Sequence, residues 1–147
     1  MEFVSAGTDR YAELRARAAR TPQPAGNKKV MLMGFPMNAN RYLQSTAAWF
    51  HYQLELELRI AEALREQGFE VIYKMHPERR KEAEGLFADV CDRVLVEPFE
   101  RVWPCADAYV FLCTSTTTFG HALCLPRPVI VLDMEGMPWI PEAYGLI

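Results

Sequence analysis

Short apolar runs alternate along the chain with longer segments of helix-forming composition. We predict strands for the five runs at 29–35, 70–77, 93–98, 108–114 and 126–134. Each run is almost uniformly apolar and stops at glycine, proline or a polar residue, which is typical of strands buried on both faces. The segments between them are predicted as helices at 46–67, 78–90 and 116–125 and as a short helical turn at 99–108, and the first of them is rich in Leu, Glu, Ala, Arg and Gln.

The longest of these segments contains "LELELRI", whose strict alternation of apolar and charged residues also fits a strand. Its length of about twenty residues favours a helix, and Gly68 stands where a C-terminal cap belongs. A helix places Leu54, Leu58, Ala61 and Leu64 on one apolar face.

Strands that alternate with helices predict an α/β fold, a Rossmann-like three-layer sandwich around a five-stranded parallel sheet. Right-handed crossovers favour the strand order 3-2-1-4-5. Residues 1–28 are interpreted as an N-terminal helix, at 8–20, and a linker rich in proline and glycine. Residues 29–147 are interpreted as the Rossmann-like domain.

The composition is that of a globular protein, and the charge limits the classes of partner that we expect the chain to bind. The 147 residues fit one domain, and the net charge of −3 argues against nucleic acid or an anionic membrane surface. No run reaches the ~18 apolar residues of a membrane helix, so we expect a cytoplasmic protein without a membrane span. The four cysteines show no paired spacing, which suggests buried free thiols in a reducing compartment.

The predicted topology brings several polar loops to one crevice. Ligands of open α/β sheets bind beyond the carboxyl ends of the strands, where the winding reverses, here between the first and fourth strands. The loop after the first strand contains Gly34 and Asn38, and His76 ends the second strand. The fourth strand is followed by five hydroxyl residues, at 114–118.

This hydroxyl run has two interpretations. It begins a predicted helix, where one hydroxyl can cap the unpaired N–H groups. The same groups can instead contact a phosphate. Five consecutive hydroxyls exceed what a cap needs, so we favour phosphate contact, with Ser115 and Thr116 nearest and Thr114 and Thr117 beside them.

His76 and Lys74 close the second strand. An imidazole at this position can donate to a phosphate or hold a ribose hydroxyl, or it can simply be exposed before the proline that ends the strand. We expect Lys74 to point away from Met75 and to reach solvent.

Several other chemistries find no support in the chain. It lacks GxGxxG after the first strand, the P-loop GxxxxGK[ST] and the GxSxG nucleophile elbow. His121 and Cys124 share a helix face, but no further metal ligands accompany them, so we expect no metal site.

Two segments, "VIYKMHP" and "ADAYVFLCTSTTTFGHALCLPRPVIVLD", resemble the nucleotide-binding half of glycosyltransferases with two Rossmann-like domains. The resemblance is to the bacterial surface-polysaccharide branch, with capsule Kdo transferases, CDP-glycerol glycerophosphotransferases and polysialyltransferases. It covers roughly residues 70–133. It implies that His76, Ser115 and Thr116 contact the phosphates or ribose of a cytidine nucleotide, while Pro77 shapes the turn.

The chain departs from this pattern at two places. Cys113 stands where many relatives carry an acidic residue, and Gly120 and His121 stand where others carry a ribose-binding glutamate. Whether the chain is an enzyme therefore stays open at this point.

The resemblance also implies the partners. The donor is a nucleotide-activated sugar or polyol, CMP- or CDP-linked, and no separate cofactor is needed. The acceptor and the catalytic base belong to a missing N-terminal domain, so this chain is half of a larger transferase in surface-polysaccharide biosynthesis. Two alternatives remain, a non-catalytic nucleotide- or phosphosugar-binding or interaction module and a relative of sugar-nucleotide 2-epimerases.

Overall fold

The fold is taken from a computed structural model, which describes residues 9–22, 26, 28–35, 46–83, 85–114 and 116–132. The helices are α1 (Asp9–Arg20), α2 (Thr46–Glu66), α3 (Arg80–Ala83), α4 (Phe99–Val102) and α5 (Thr117–Ala122). The strands are β1 (Lys29–Met33), β2 (Glu70–Lys74), β3 (Arg93–Leu95), β4 (Ala108–Phe111) and β5 (Val129–Val131). Short 3-10 turns cover Pro77–Arg79 and Trp103–Cys105.

The five strands form one sheet in the order β3-β2-β1-β4-β5, and every pair is parallel. The predicted fold class and strand order are therefore confirmed. The winding reverses between β1 and β4, which pair through Val30 with Ala108 to Met33 with Phe111. The carboxyl ends of these two strands define the crevice to which the candidate residues were assigned.

Both faces of the sheet are covered, and this explains why the strands are apolar throughout. One face, with Met31, Ile72 and Tyr109, packs in a core that includes residues of α1, α4 and α5. The other face, with Leu32 and Tyr73, packs against α2. The helical prediction for 46–67 is confirmed, and α2 lays the predicted apolar residues on this second face: Leu54, Leu58, Ala61 and Leu64.

Helix α2 is the longest helix of the described residues, with 21 residues. Charged side chains such as Glu55, Arg59 and Glu62 lie exposed on its outer side. No helix in the described ranges is long and apolar enough to cross a membrane.

The helix predicted for 78–90 is largely replaced by turns. A 3-10 turn at Pro77–Arg79 leads into α3, which is only four residues long. Gly85 then adopts a φ of +91°, a left-handed conformation that stops a helix and that glycine reaches without strain. The prediction was wrong because "EAEGLF" contains this break inside an otherwise helix-forming sequence.

All four cysteines are free, as expected, but their burial differs from the prediction. Cys91 is buried, whereas Cys105, Cys113 and Cys124 are half-buried. Burial raises the pKa of the Cys91 thiol to about 11, and Asp92 adds to the effect. Cys91 is therefore a thiol that stays protonated, while the other three are more accessible.

Candidate functional site

A cavity of about 300 Å³ opens at the carboxyl ends of β1, β2, β3 and β4, and we call it the switch-point cavity. Its volume lies at the lower end of the range for small-molecule sites. It is lined by Met33, Gly34, Lys74, Met75, His76, Pro77, Val96, Pro98, Phe99, Glu100, Phe111, Cys113, Thr116, Thr117, Thr118 and His121. The described part of the chain thus places a mixed polar and apolar cavity at the reversal of the winding.

Four predicted site residues meet in this cavity: Gly34, His76, Thr116 and Thr117. They come from the ends of β1 and β2 and from the start of α5. Thr114 is half-buried but does not line the cavity. The predictions for Ser115 and Asn38 lie outside the described residues.

Thr116 serves as the N-cap of α5. Its backbone is extended, with φ −129° and ψ 149°, and its Oγ1 accepts a hydrogen bond of 3.2 Å from the backbone N–H of Phe119. The capping interpretation of the hydroxyl run is confirmed for this residue. The hydroxyl can still donate its proton into the cavity, so phosphate contact by Thr116 stays a prediction.

His76 is held by the turn that follows it. Pro77 starts the 3-10 turn, and the Nδ1 atom of His76 accepts a hydrogen bond of 3.3 Å from the backbone N–H of Glu78. This hydrogen bond fixes the orientation of the imidazole ring at the end of β2. The turn therefore holds the ring at the edge of the cavity.

A buried ion pair connects the turn at Pro77–Arg79 to helix α2. One guanidinium nitrogen of Arg79 lies 2.8 Å from both carboxylate oxygens of Glu57, and both side chains are fully buried. The carboxylate also accepts from the backbone N–H of Phe35, at 2.6 Å, and from the Tyr73 hydroxyl, at 3.1 Å. This cluster of Glu57, Arg79, Tyr73 and Phe35, the buried network, joins α2 to the segments that follow β1 and β2.

Burial shifts the pKa values of two side chains of the buried network, Glu57 and Tyr73. Desolvation raises the pKa of Glu57, and its contacts with Arg79, Phe35 and Tyr73 only partly oppose that rise. Desolvation also raises the pKa of Tyr73, with the neighbouring Glu57 charge as the next cause. Burial therefore disfavours the charged forms of both side chains, and the hydrogen bonds of the buried network hold the loops in position.

Gly34 allows the close approach of the first two strand ends. Its N–H donates to the carbonyl of Lys74 at 2.9 Å, one step beyond the β1–β2 ladder. A Cβ atom at this position would lie 2.6 Å from the Tyr73 hydroxyl oxygen and 3.0 Å from the Lys74 carbonyl oxygen. Any side chain here would push apart the two loops that border the cavity.

Lys74 was predicted to reach solvent, and this was wrong. The side chain is 7% exposed and lines the switch-point cavity. It does point away from Met75, as the alternation of a strand requires. The face to which it points is covered, because residues of α4 and α5, Phe99 and His121 among them, line the same cavity.

A histidine–carboxylate contact that sequence reasoning missed also lines the cavity. The Nδ1 atom of His121 is 3.4 Å from a carboxylate oxygen of Glu100, and the ring also meets Tyr11 edge to face, with centroids 5.3 Å apart. His121 is buried, whereas the Glu100 side chain is 27% exposed. Since α4 and α5 contribute one residue each, no local sequence pattern signals this pair.

Comparison of the chain with protein-family models, curated proteins and solved structures gives no match. Within the described ranges, no group of three or more His, Cys, Asp or Glu side chains could hold a metal ion. The functional argument therefore depends on the cavity itself.

Proposed function

We propose that this chain is the donor-nucleotide-binding domain of a glycosyl- or polyol-phosphate transferase, and that the phosphate of the donor occupies the switch-point cavity. The observation that carries the proposal is the convergence of His76, Thr116 and Thr117 on that cavity. The transferase class itself comes from the resemblance of the His-Pro and hydroxyl segments.

Each of these residues supplies a donor suited to a phosphate oxygen. His76 lines the cavity with its ring oriented by the hydrogen bond at Nδ1, and an imidazole N–H is a suitable donor to a phosphate oxygen. The hydroxyls of Thr116 and Thr117 each have a proton to donate, and Thr117 is the more exposed of the two. The short helix α5 has six residues, and its Phe119 N–H is occupied by Thr116. Side chains, rather than the helix end, therefore form the phosphate contacts.

In this proposal the domain acts by electrostatic stabilisation. Donors aimed at the phosphate stabilise the negative charge that develops on the leaving nucleotide as the bond to the sugar or polyol breaks. The donor is CMP- or CDP-linked, and no cofactor takes part. In this proposal a second domain binds the acceptor and supplies the catalytic base that activates it. Because the resemblance is to bacterial transferases, the proposal assigns the reaction to the bacterial cytoplasm.

Titration with nucleotides tests the proposal. The purified domain is titrated calorimetrically with CMP, CDP, UDP and GDP, alongside the variants His76→Ala and Thr117→Val. His51→Ala is the matched control, because His51 is exposed on α2 and lies outside the cavity lining. We expect saturable binding of a cytidine nucleotide, weakened about tenfold or more by each cavity variant and unchanged by the control.

Alkylation of Cys113 gives a second readout. Cys113 lines the cavity, whereas Cys91 is buried elsewhere in the core. A bound nucleotide should slow the alkylation of Cys113, followed by mass spectrometry, and leave Cys105 and Cys124 unchanged. If none of the four nucleotides binds at millimolar concentration or protects Cys113, the donor-domain proposal is wrong.

A further inference from the structure

Lys74 is the one charged side chain in an otherwise apolar row of the sheet. The strand register aligns Leu95, Lys74, Met33, Phe111 and Val131 across all five strands. Register partners in a parallel sheet share a face, and the four apolar members belong to one core. A lysine inside this row is not what packing alone selects.

The ammonium group is buried with few partners. Its Nζ donates one hydrogen bond, of 2.7 Å, to the carbonyl of Met75. No other described residue accepts a hydrogen bond from it or forms an ion pair with it within 4 Å. An ammonium has three N–H donors, and the described residues accept from one of them.

The surrounding charges do not account for the lysine as an ordinary ion pair. Glu97 and Glu100 attract the ammonium electrostatically, yet Glu97 is fully exposed and Glu100 contacts His121. Desolvation is the largest influence and lowers the pKa of Lys74. In the absence of a ligand the burial of this ammonium is therefore unfavourable, and an oxyanion in the cavity would compensate it.

We propose that Lys74 is an oxyanion-binding residue, whose ammonium contacts a phosphate oxygen of the ligand in the switch-point cavity. The hydroxyls of Thr116 and Thr117 and the ring of His76 line the same cavity as Lys74. One phosphate group there can accept hydrogen bonds from these side chains and from the ammonium. This inference rests on the proposed function in taking phosphate as the oxyanion. It adds the cation that the hydroxyl and imidazole groups do not provide.

The decisive experiment reads the ammonium directly. The chain contains four lysines, Lys28, Lys29, Lys74 and Lys81, so selective ¹³C,¹⁵N-lysine labelling resolves each Cε and Nζ signal by NMR. Inorganic phosphate and CMP are titrated in separate samples, and Lys74→Met assigns the signal. We expect saturable shifts of the Lys74 signal alone with both probes, because each carries the phosphate.

Variants then separate binding from folding. Lys74→Met should weaken phosphate and CMP binding by roughly 10- to 100-fold, the loss typical of one charge-assisted hydrogen bond. It should leave the urea unfolding midpoint unchanged or raise it, because a buried ammonium is removed. Lys81→Met is the matched control, since Lys81 is exposed on α3, and it should change neither quantity.

The outcomes distinguish the two proposals. If CMP binds while the Lys74 signal stays unchanged and Lys74→Met binds equally well, the role of Lys74 is refuted and the donor-domain proposal stands. If phosphate shifts the Lys74 signal but no nucleotide binds, Lys74 is an oxyanion-binding residue and the donor-domain proposal is wrong. If neither probe shifts the signal, Lys74 is not an oxyanion-binding residue. Because the signal is read in the wild-type chain, the result does not depend on a variant folding.

Discussion

The substitution Glu57→Gln is expected to destabilise the fold strongly while it preserves the shape of the side chain. It removes the negative charge that the fully buried Arg79 faces at 2.8 Å. Removal of one partner from a buried pair costs about 3–5 kcal/mol, because the other charge stays buried without compensation. For a domain with a typical stability of about 5–15 kcal/mol, this is at least about a fifth of the total.

The same helix provides a matched control. Glu55 forms an i,i+4 ion pair with Arg59 on the exposed side of α2, two residues from Glu57. An exposed pair of this kind contributes about 0.3–0.5 kcal/mol, so Glu55→Gln should be almost neutral. Both variants lose one carboxylate from one helix, and burial is the main difference between them.

Urea unfolding followed by far-ultraviolet circular dichroism measures the effect. We expect a lower midpoint for Glu57→Gln with an unchanged m-value, which indicates a change in stability and not in the denatured state. The double variant Glu57→Met with Arg79→Met should recover most of the loss, because two apolar side chains carry no desolvation penalty. If Glu57→Gln unfolds within about 0.5 kcal/mol of Glu55→Gln, the buried network does not hold the fold as described.

Three further predictions concern the borders of the cavity. Gly34→Ala should lower the free energy of unfolding in urea by about 1–3 kcal/mol, because the new Cβ would lie 2.6 Å from the Tyr73 hydroxyl oxygen. Gly26→Ala is the control, since a Cβ there would meet no atom within 4 Å, and it should change this free energy by less than about 0.5 kcal/mol. Thr116→Ala removes the cap of α5 and should lower the stability measured by thermal unfolding by about 1 kcal/mol, whereas Thr116→Ser keeps the capping hydroxyl and should retain the stability. Equal losses in the two variants would contradict the capping role. Burial lowers the pKa of Lys74 in the folded chain, whereas the unfolded chain keeps the usual value of 10.5. At a pH between these two values the unfolded chain binds one proton more, so the stability of the wild-type chain should rise with pH relative to that of Lys74→Met. Parallel curves of stability against pH for the two proteins would refute this.

The sequence was sufficient for the architecture because local and global signals agree. Strands buried on both faces must be apolar throughout, and helix-forming segments between them require parallel crossovers. Right-handed winding favours the order 3-2-1-4-5, and this order brings His76 and Thr116 together although they are distant in the chain. This part of the site could be predicted because backbone topology alone determines it.

The remaining site residues depend on packing that periodicity does not encode. Alternation correctly placed Lys74 opposite Met75, but the burial of that face depends on how residues of α4 and α5 close over it. Glu57 appears in the sequence as one of several alternating charges of α2, and only the turn at Arg79 distinguishes it from the exposed Glu55. Contacts between distant short elements determine both cases.

Two of the buried charged residues, Glu57 and Lys74, lie on opposite faces of the sheet and differ in how their hydrogen-bonding capacity is used. On the α2 side, both carboxylate oxygens of Glu57 accept hydrogen bonds, from Arg79, Tyr73 and the Phe35 backbone. A buried polar group satisfied in this way is explained by the fold alone. On the α5 side, Lys74 has one described acceptor and faces a cavity. Since a buried charge without full compensation weakens a fold, its presence is best explained by a ligand, which is why Lys74 links the architecture to the proposed phosphate site.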